Sequence, residues 1–85
     1  MKTEKTYKLQ NFNQLLEAVE MGLDVEFFIG ETRYNISWRK GKPYICICPD
    51  GDAVFFDNAN ELFSKYKVNG SPIKNIWKEI DIYSM

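Results

Sequence analysis

Three short turn signals, Gly30-Glu31, Lys40-Gly41 and Asp50-Gly51, punctuate a stretch from Asp24 to Phe56 in which apolar residues recur with a period of two. Each pair suits a two-residue hairpin loop. If all three loops hold two residues, the register follows: opposed residue numbers sum to 61, then 81, then 101. Val25, Phe27 and Ile29 then lie opposite Ile36, Tyr34 and Thr32. Trp38, Ile36 and Tyr34 meet Pro43, Ile45 and Ile47, and Ile47 and Ile45 in turn meet Val54 and Phe56. Nearly every large apolar side chain falls on one face. A one-residue slip at any turn would break that agreement, because it sends a strand's side chains to the other face. The stretch reads as a four-stranded antiparallel meander.

The flanking segments have a helical period. Asn11 is placed to cap a helix from Phe12 to about Met21, with Gln14 in the capping-box position and Gly22 ending it. Phe12, Leu15, Leu16 and Val19 share one face at i, i+3, i+4 and i+7. Asn58 and Glu61 form a second N-cap signature, ahead of a stripe of Ala59, Leu62, Phe63 and Tyr66 that Asn69-Gly70 stops. Ser71-Pro72 reads as the start of a third helix carrying Ile73, Ile76, Trp77 and Ile80. The tail Asp81-Ile82-Tyr83 alternates, as does Tyr7 with Leu9, and either can extend away or add an edge strand. The expected fold is α+β, in the order α-β-β-β-β-α-α, with helices packed on the apolar side of the sheet.

Eighty-five residues make a single domain, 1–85, whose first six residues are expected to be flexible. So small a chain buries only about 60% of its unfolded surface, so the core must be rich. An apolar fraction of 45% and an aromatic share of 15% supply it without a metal or a disulfide. The net charge of −1, from 11 basic and 12 acidic residues, gives no basic stripe for nucleic acid and no acidic run for a DNA mimic. Met1-Lys2-Thr3-Glu4-Lys5 lacks the apolar segment of a signal peptide, and no run approaches the length of a membrane helix. The expected location is the cytoplasm.

Little in the sequence suggests catalysis. The chain has no histidine, and Ser37, Ser64, Ser71 and Ser84 stand in no nucleophile-elbow context. Walker and GxGxxG loops are missing. Glu17 and Glu20 read as solvated helix carboxylates, and Pro49-Asp50-Gly51-Asp52 as a hairpin rather than a calcium loop. Cys46 and Cys48 project from one strand face, too far apart for an easy disulfide and two ligands short of a zinc site. Neither cofactor nor metal is expected, and the chain is read as non-enzymatic.

The second sheet face is the more informative surface. The register gives it three rows: Phe28, Arg33, Cys48 and Ala53; Glu26, Asn35, Cys46 and Phe55; Asp24, Ser37, Tyr44 and Asp57. A wet face would carry Lys, Glu and Thr at most of these positions. Aromatic residues with arginines at the margin suit an interface, so Phe28, Arg33, Arg39, Tyr44 and Phe55 are the candidate partner-binding residues. The competing reading is that Tyr7 and Leu9, or Ile82 and Tyr83, fold over this face and enlarge the core.

In size, in a composition rich in Lys, Asn, Ile and Tyr, and in stretches such as Phe56-Asp57-Asn58-Ala59-Asn60-Glu61-Leu62 and Asn69-Gly70-Ser71-Pro72-Ile73, the chain resembles small proteins of phages and mobile elements of low-GC Gram-positive bacteria. That resemblance implies a non-catalytic inhibitor or sequesterer. Three functions follow as expectations. The first is a protein-binding module, of the phage-inhibitor kind, that occludes a host defence or regulatory protein or associates with itself. The second is an oligomer that sequesters a nucleotide-like ligand through Arg33, Arg39, Lys40 and Tyr44. The third, a nucleic-acid regulator, would use the basic turn Arg39-Lys40-Gly41-Lys42.

Overall fold

The computed structural model describes residues 5–85, so the expected flexibility of the chain's start falls largely outside the described residues. The fold is α+β, as the periodicities predict, but its sheet is larger than a four-stranded meander. The strands are β1 (Tyr7–Lys8), β2 (Val25–Ile29), β3 (Thr32–Arg39), β4 (Lys42–Ile47), β5 (Val54–Phe55), β6 (Lys67–Val68), β7 (Ser71–Pro72) and β8 (Ile80–Ser84). Two helices, α1 (Phe12–Glu20) and α2 (Ala59–Lys65), interrupt them. Among the described residues, six strands form one sheet in the order β1-β8-β2-β3-β4-β5, and β6 pairs with β7 in a separate hairpin.

The first two turns set the register as expected. Val25 opposes Ile36 and Phe27 opposes Tyr34. Ile36 then opposes Ile45, and Trp38 opposes Pro43. The third turn departs from expectation. Ile45 meets Val54 instead of Phe56, and Tyr44 meets Phe55, a displacement of two residues that keeps each side chain on its predicted face. Pro49 offers no N–H for a tight two-residue loop, and the chain instead makes a wider turn. There the Cys48-Pro49 bond is cis, and Gly51 N–H donates to the Ile47 carbonyl at 2.7 Å. One consequence is that Ile47, expected in the core, stays 42% exposed.

Both predicted N-caps are present. Asn11 Oδ1 accepts from Gln14 N–H at 2.9 Å, and Asn58 Oδ1 from Glu61 N–H at 2.8 Å, each contributing about 1 kcal/mol. The reciprocal half of each box is absent: Gln14 Oε1 accepts from Gln10 N–H, and Glu61 pairs with Lys65 one turn on. Gly22, at φ +86°, lets Leu23 N–H reach the Ala18 carbonyl and Gly22 N–H the Val19 carbonyl, which is a Schellman ending. Trp38 Nε1 donates to the same Val19 carbonyl at 2.8 Å and ties α1 to β3.

The third helix is not formed. Asn69-Gly70, with φ of 54° and 86°, is the turn of the β6–β7 hairpin, so Ser71 sits in a strand rather than at a helix cap. Residues from Ile73 onward make two short 3-10 turns, Ile73–Asn75 and Trp77–Glu79, broken at Ile76. Separated 3-10 turns advance the chain further per residue than an α-helix would, and they deliver it to the sheet. The tail then enters as β8, an interior strand between β1 and β2.

The core lies between the sheet and the two helices. Leu15, Ala18 and Val19 of α1 and Ala59, Leu62 and Phe63 of α2 pack against Val25, Phe27, Ile36, Ile45, Ile80 and Ile82. Phe27 stacks on Tyr34 at 5.3 Å, and Tyr66 meets both Tyr34 and Phe56 edge-on. Burial pushes the phenols of Tyr34 and Tyr66 up from their ordinary value.

Two outcomes follow for stability. A Cβ on Gly51 would sit 2.6 Å from the Ile47 carbonyl oxygen and 2.8 Å from its amide nitrogen, backbone atoms that cannot step aside. Gly51→Ala should therefore cost about 1–3 kcal/mol in urea unfolding, while Asp52→Ala beside it stays within about 0.5 kcal/mol. The tyrosines predict an alkaline loss. Because the fold holds them neutral, their stabilising contribution is complete below about pH 10 and falls away as pH climbs through the raised folded values. Unfolding curves across that range should slope less for Tyr66→Phe than for the native chain; equal slopes would contradict the assignment.

Candidate functional site

The sheet face turned away from the helices carries every candidate residue, and the register divides them into two groups. At one end β3, β4 and β5 bring Arg39, Tyr44 and Phe55 together. The Tyr44 and Phe55 rings lie 5.2 Å apart, directly opposed across the β4–β5 ladder. Arg39 Cζ stands 5.2 Å from the Tyr44 centroid and 5.8 Å from that of Phe55, so one guanidinium covers both rings. This is cation–π geometry, with the charge still open to solvent. Phe55 remains 42% exposed, and its neighbour Val54 41%, on a two-residue strand at the edge of the sheet.

The other end is built differently. Phe28 opposes Arg33 across β2 and β3, as expected, but it is buried at 6% exposure. Part of the cover comes from β8. The β2–β8 register shifts between Glu26 and Phe27: Glu26 opposes Ser84 whereas Phe27 opposes Ile82, leaving Tyr83 as an extra residue. Such a bulge re-aims its side chain. The Tyr83 ring meets Phe28 edge-on at 6.4 Å and lies 4.8 Å under Arg33 Cζ. Arg33 is also held by Glu26 at 2.5 Å, and that hydrogen bond raises the guanidinium's pKa.

The expected terminal cover is therefore present at one end of the face, and the other end stays open. Tyr83 covers the Phe28 end, while Leu9 and Ile82 join the core on the opposite side of the sheet. Tyr83 was named in the sequence as possible cover, not as part of the surface. Its signal was the alternation in Asp81-Ile82-Tyr83; the bulge that turns its ring has no signature in the sequence.

Between the two groups stand Asn35 and Cys46, opposed in register, and Ser37, which donates to Asp24. Asn35 Nδ2 donates to the Val25 carbonyl at 3.1 Å. In the basic turn Arg39 lies on the rings, and Lys42 is paired with Asp57 at 3.0 Å. Among the described residues there is no enclosed pocket and no group of three or more metal-ligating side chains, and no helix is long and apolar enough to cross a membrane.

Comparison with protein-family models, with curated proteins and with solved structures gave no match.

The stacked arrangement should be measurable within the free protein. A double-mutant cycle of Arg39→Gln and Phe55→Leu is expected to give a coupling of about 0.5–1 kcal/mol in thermal or urea unfolding, the range for an exposed cation–π contact. A coupling indistinguishable from zero would place the guanidinium in solvent.

Proposed function

We propose that this chain is a non-catalytic protein-binding module. It acts by steric occlusion, in the manner of the small phage inhibitors that its sequence resembles, on a cytoplasmic defence or regulatory protein. The observation that carries this reading is the Arg39–Tyr44–Phe55 cluster: two neighbouring rings under one guanidinium, with Phe55 exposed on an edge strand. Arginine and tyrosine are the side chains most enriched among residues that dominate binding energy, because each joins a large apolar area to directional hydrogen bonding. Here both lie on a rigid sheet, so little ordering entropy is lost on contact.

Within that reading the five candidate residues divide by role. Arg39, Tyr44 and Phe55 make the contact. Phe28 and Arg33, closed over by Tyr83 and Glu26, support the face. The sequestering alternative draws on Arg33 and Arg39 as phosphate contacts. It requires a cleft between protomers, since a single protomer presents an open face.

The test pairs surface changes with a fold control. Arg39→Glu with Phe55→Ser should leave the circular dichroism spectrum intact and weaken the partner complex by 100-fold or more, roughly 3 kcal/mol or above. Unchanged binding in a folded double variant would sink the proposal. Native mass spectrometry of the purified chain separates the alternative: a stable oligomer carrying extra ligand mass would replace occlusion with sequestration.

A further inference from the structure

Cys46 and Cys48 are two residues apart, both half-buried and both free thiols. Cys46 opposes Asn35, and Cys48 N–H donates to the Arg33 carbonyl at 2.9 Å, which carries the β3–β4 register one step beyond the strand. Both side chains therefore stand on the open face, in adjacent rows, with Cys48 beside Arg33. The occluding contact proposed above uses neither.

The spacing itself selects what the pair can hold. Side chains two apart on a strand leave their Cβ atoms about 6–7 Å apart, against about 3.5–4.5 Å in a disulfide. A metal placed between the sulfurs makes up the difference. Metal–thiolate bonds of about 2.3 Å on each side set the sulfurs about 4.6 Å apart when the three atoms are in line, instead of about 2 Å in a disulfide. The extra 2.5 Å or so is close to the shortfall.

Two ligands are enough only for a cation that accepts linear coordination. The chain has no histidine, and among the described residues no third ligand joins the pair. Zinc and iron–sulfur centres, which need four ligands, are therefore excluded from a single chain. Of the soft ions that thiolates prefer, Cu(I) is content with two.

Burial pushes the Cys48 thiol up, with Cys46 and Glu26 adding to the rise and Arg33 opposing it. Two thiolates around one monovalent cation carry a net charge of −1; Arg33, already paired with Glu26, lies in the adjoining register position. Its Nε is buried without a hydrogen-bond partner.

We propose that Cys46 and Cys48 form a two-coordinate site for a soft monovalent cation of the Cu(I) class on the open sheet face, with the unpartnered Nε–H of Arg33 as the neighbouring donor. Binding converts two thiols and one Cu(I) into one linear complex and releases two protons to solvent. No electron is transferred.

The experiment is an anaerobic titration of the purified, reduced chain with Cu(I), in competition with a chromophoric Cu(I) chelator, together with native mass spectrometry. One copper per monomeric chain is expected, binding more tightly as pH rises. Cys46→Ser and Cys48→Ser each remove half the ligand set, so each should weaken binding beyond the 10–100-fold or so typical of losing an outer partner. Arg33→Gln should cost about 10-fold, and Arg39→Gln, on the same face but next to the rings, should cost nothing. The proposal is overturned if folded Cys46→Ser or Cys48→Ser binds like the native chain, or if one copper recruits two chains. Equal affinity of Arg33→Gln and the native chain would remove the arginine from the site.

Discussion

The structure depends on the insertion of β8 between β1 and β2. Ile80 and Ile82 are fully buried there, and burying two such side chains stabilises the fold by about 3–6 kcal/mol before ordering costs. That is comparable to the whole net stability of many small domains. Other parts rest on the same strand. β1 is hydrogen-bonded in the sheet through β8, with Tyr7 opposite Ile82 and Lys8 opposite Asp81. β2, which would otherwise be a sheet edge, becomes interior and can bury both Phe27 and Phe28. The paired 3-10 turns between β7 and β8 are the path by which the chain reaches this slot.

The same insertion divides the open face. Because Tyr83 is the extra residue of a bulge, its ring lies against Phe28 and under Arg33, and one end of the face is finished as structure. The other end, on β4 and β5, has no such neighbour. There a guanidinium over two rings is the only cover described, and the edge strand is two residues long. A short edge limits sheet-to-sheet pairing with other chains, yet leaves side chains accessible. This arrangement favours recognition through side chains on the face over recognition through backbone pairing along the edge.

Much of this was legible in the sequence, and the limits have physical causes. Local chemistry reported well: Asn11, Gly22 and Asn58 act where capping rules put them, and Gly30-Glu31 and Lys40-Gly41 fix two registers because a slip would expose the core. The Asp50-Gly51 turn misled, since Pro49 widens it, but a displacement of two preserves sidedness, so Tyr44 and Phe55 still fell on the predicted face. Asn69-Gly70 was misread because the same dipeptide serves as a helix stop and as a hairpin turn, and only the residues around it in space decide. Ile73, Ile76, Trp77 and Ile80 fit a helical period, yet the requirement that Ile80 enter a strand overrode it. Of the candidate site, Arg39 and Tyr44 lie as the register implied, whereas Phe55, expected opposite Cys46, faces Tyr44 because of that displacement. The closure of Phe28 and Arg33 by Tyr83 depends on pairing of β2 with β8, more than fifty residues apart in the chain, which no local pattern encodes.

That pairing also sets an order of events during synthesis. β1 pairs with β8, more than seventy residues later in the chain, so it is made long before its place in the sheet exists. The hairpins between β2 and β4 can close locally, but β2 then offers an unfilled edge, with Phe27 and Ile29 on it, until Ile80–Ser84 arrives. The sheet can therefore close only once β8 has been made, and until then β2 keeps a strand-shaped vacancy beside it. Chaperones that hold extended apolar segments are suited to shield it.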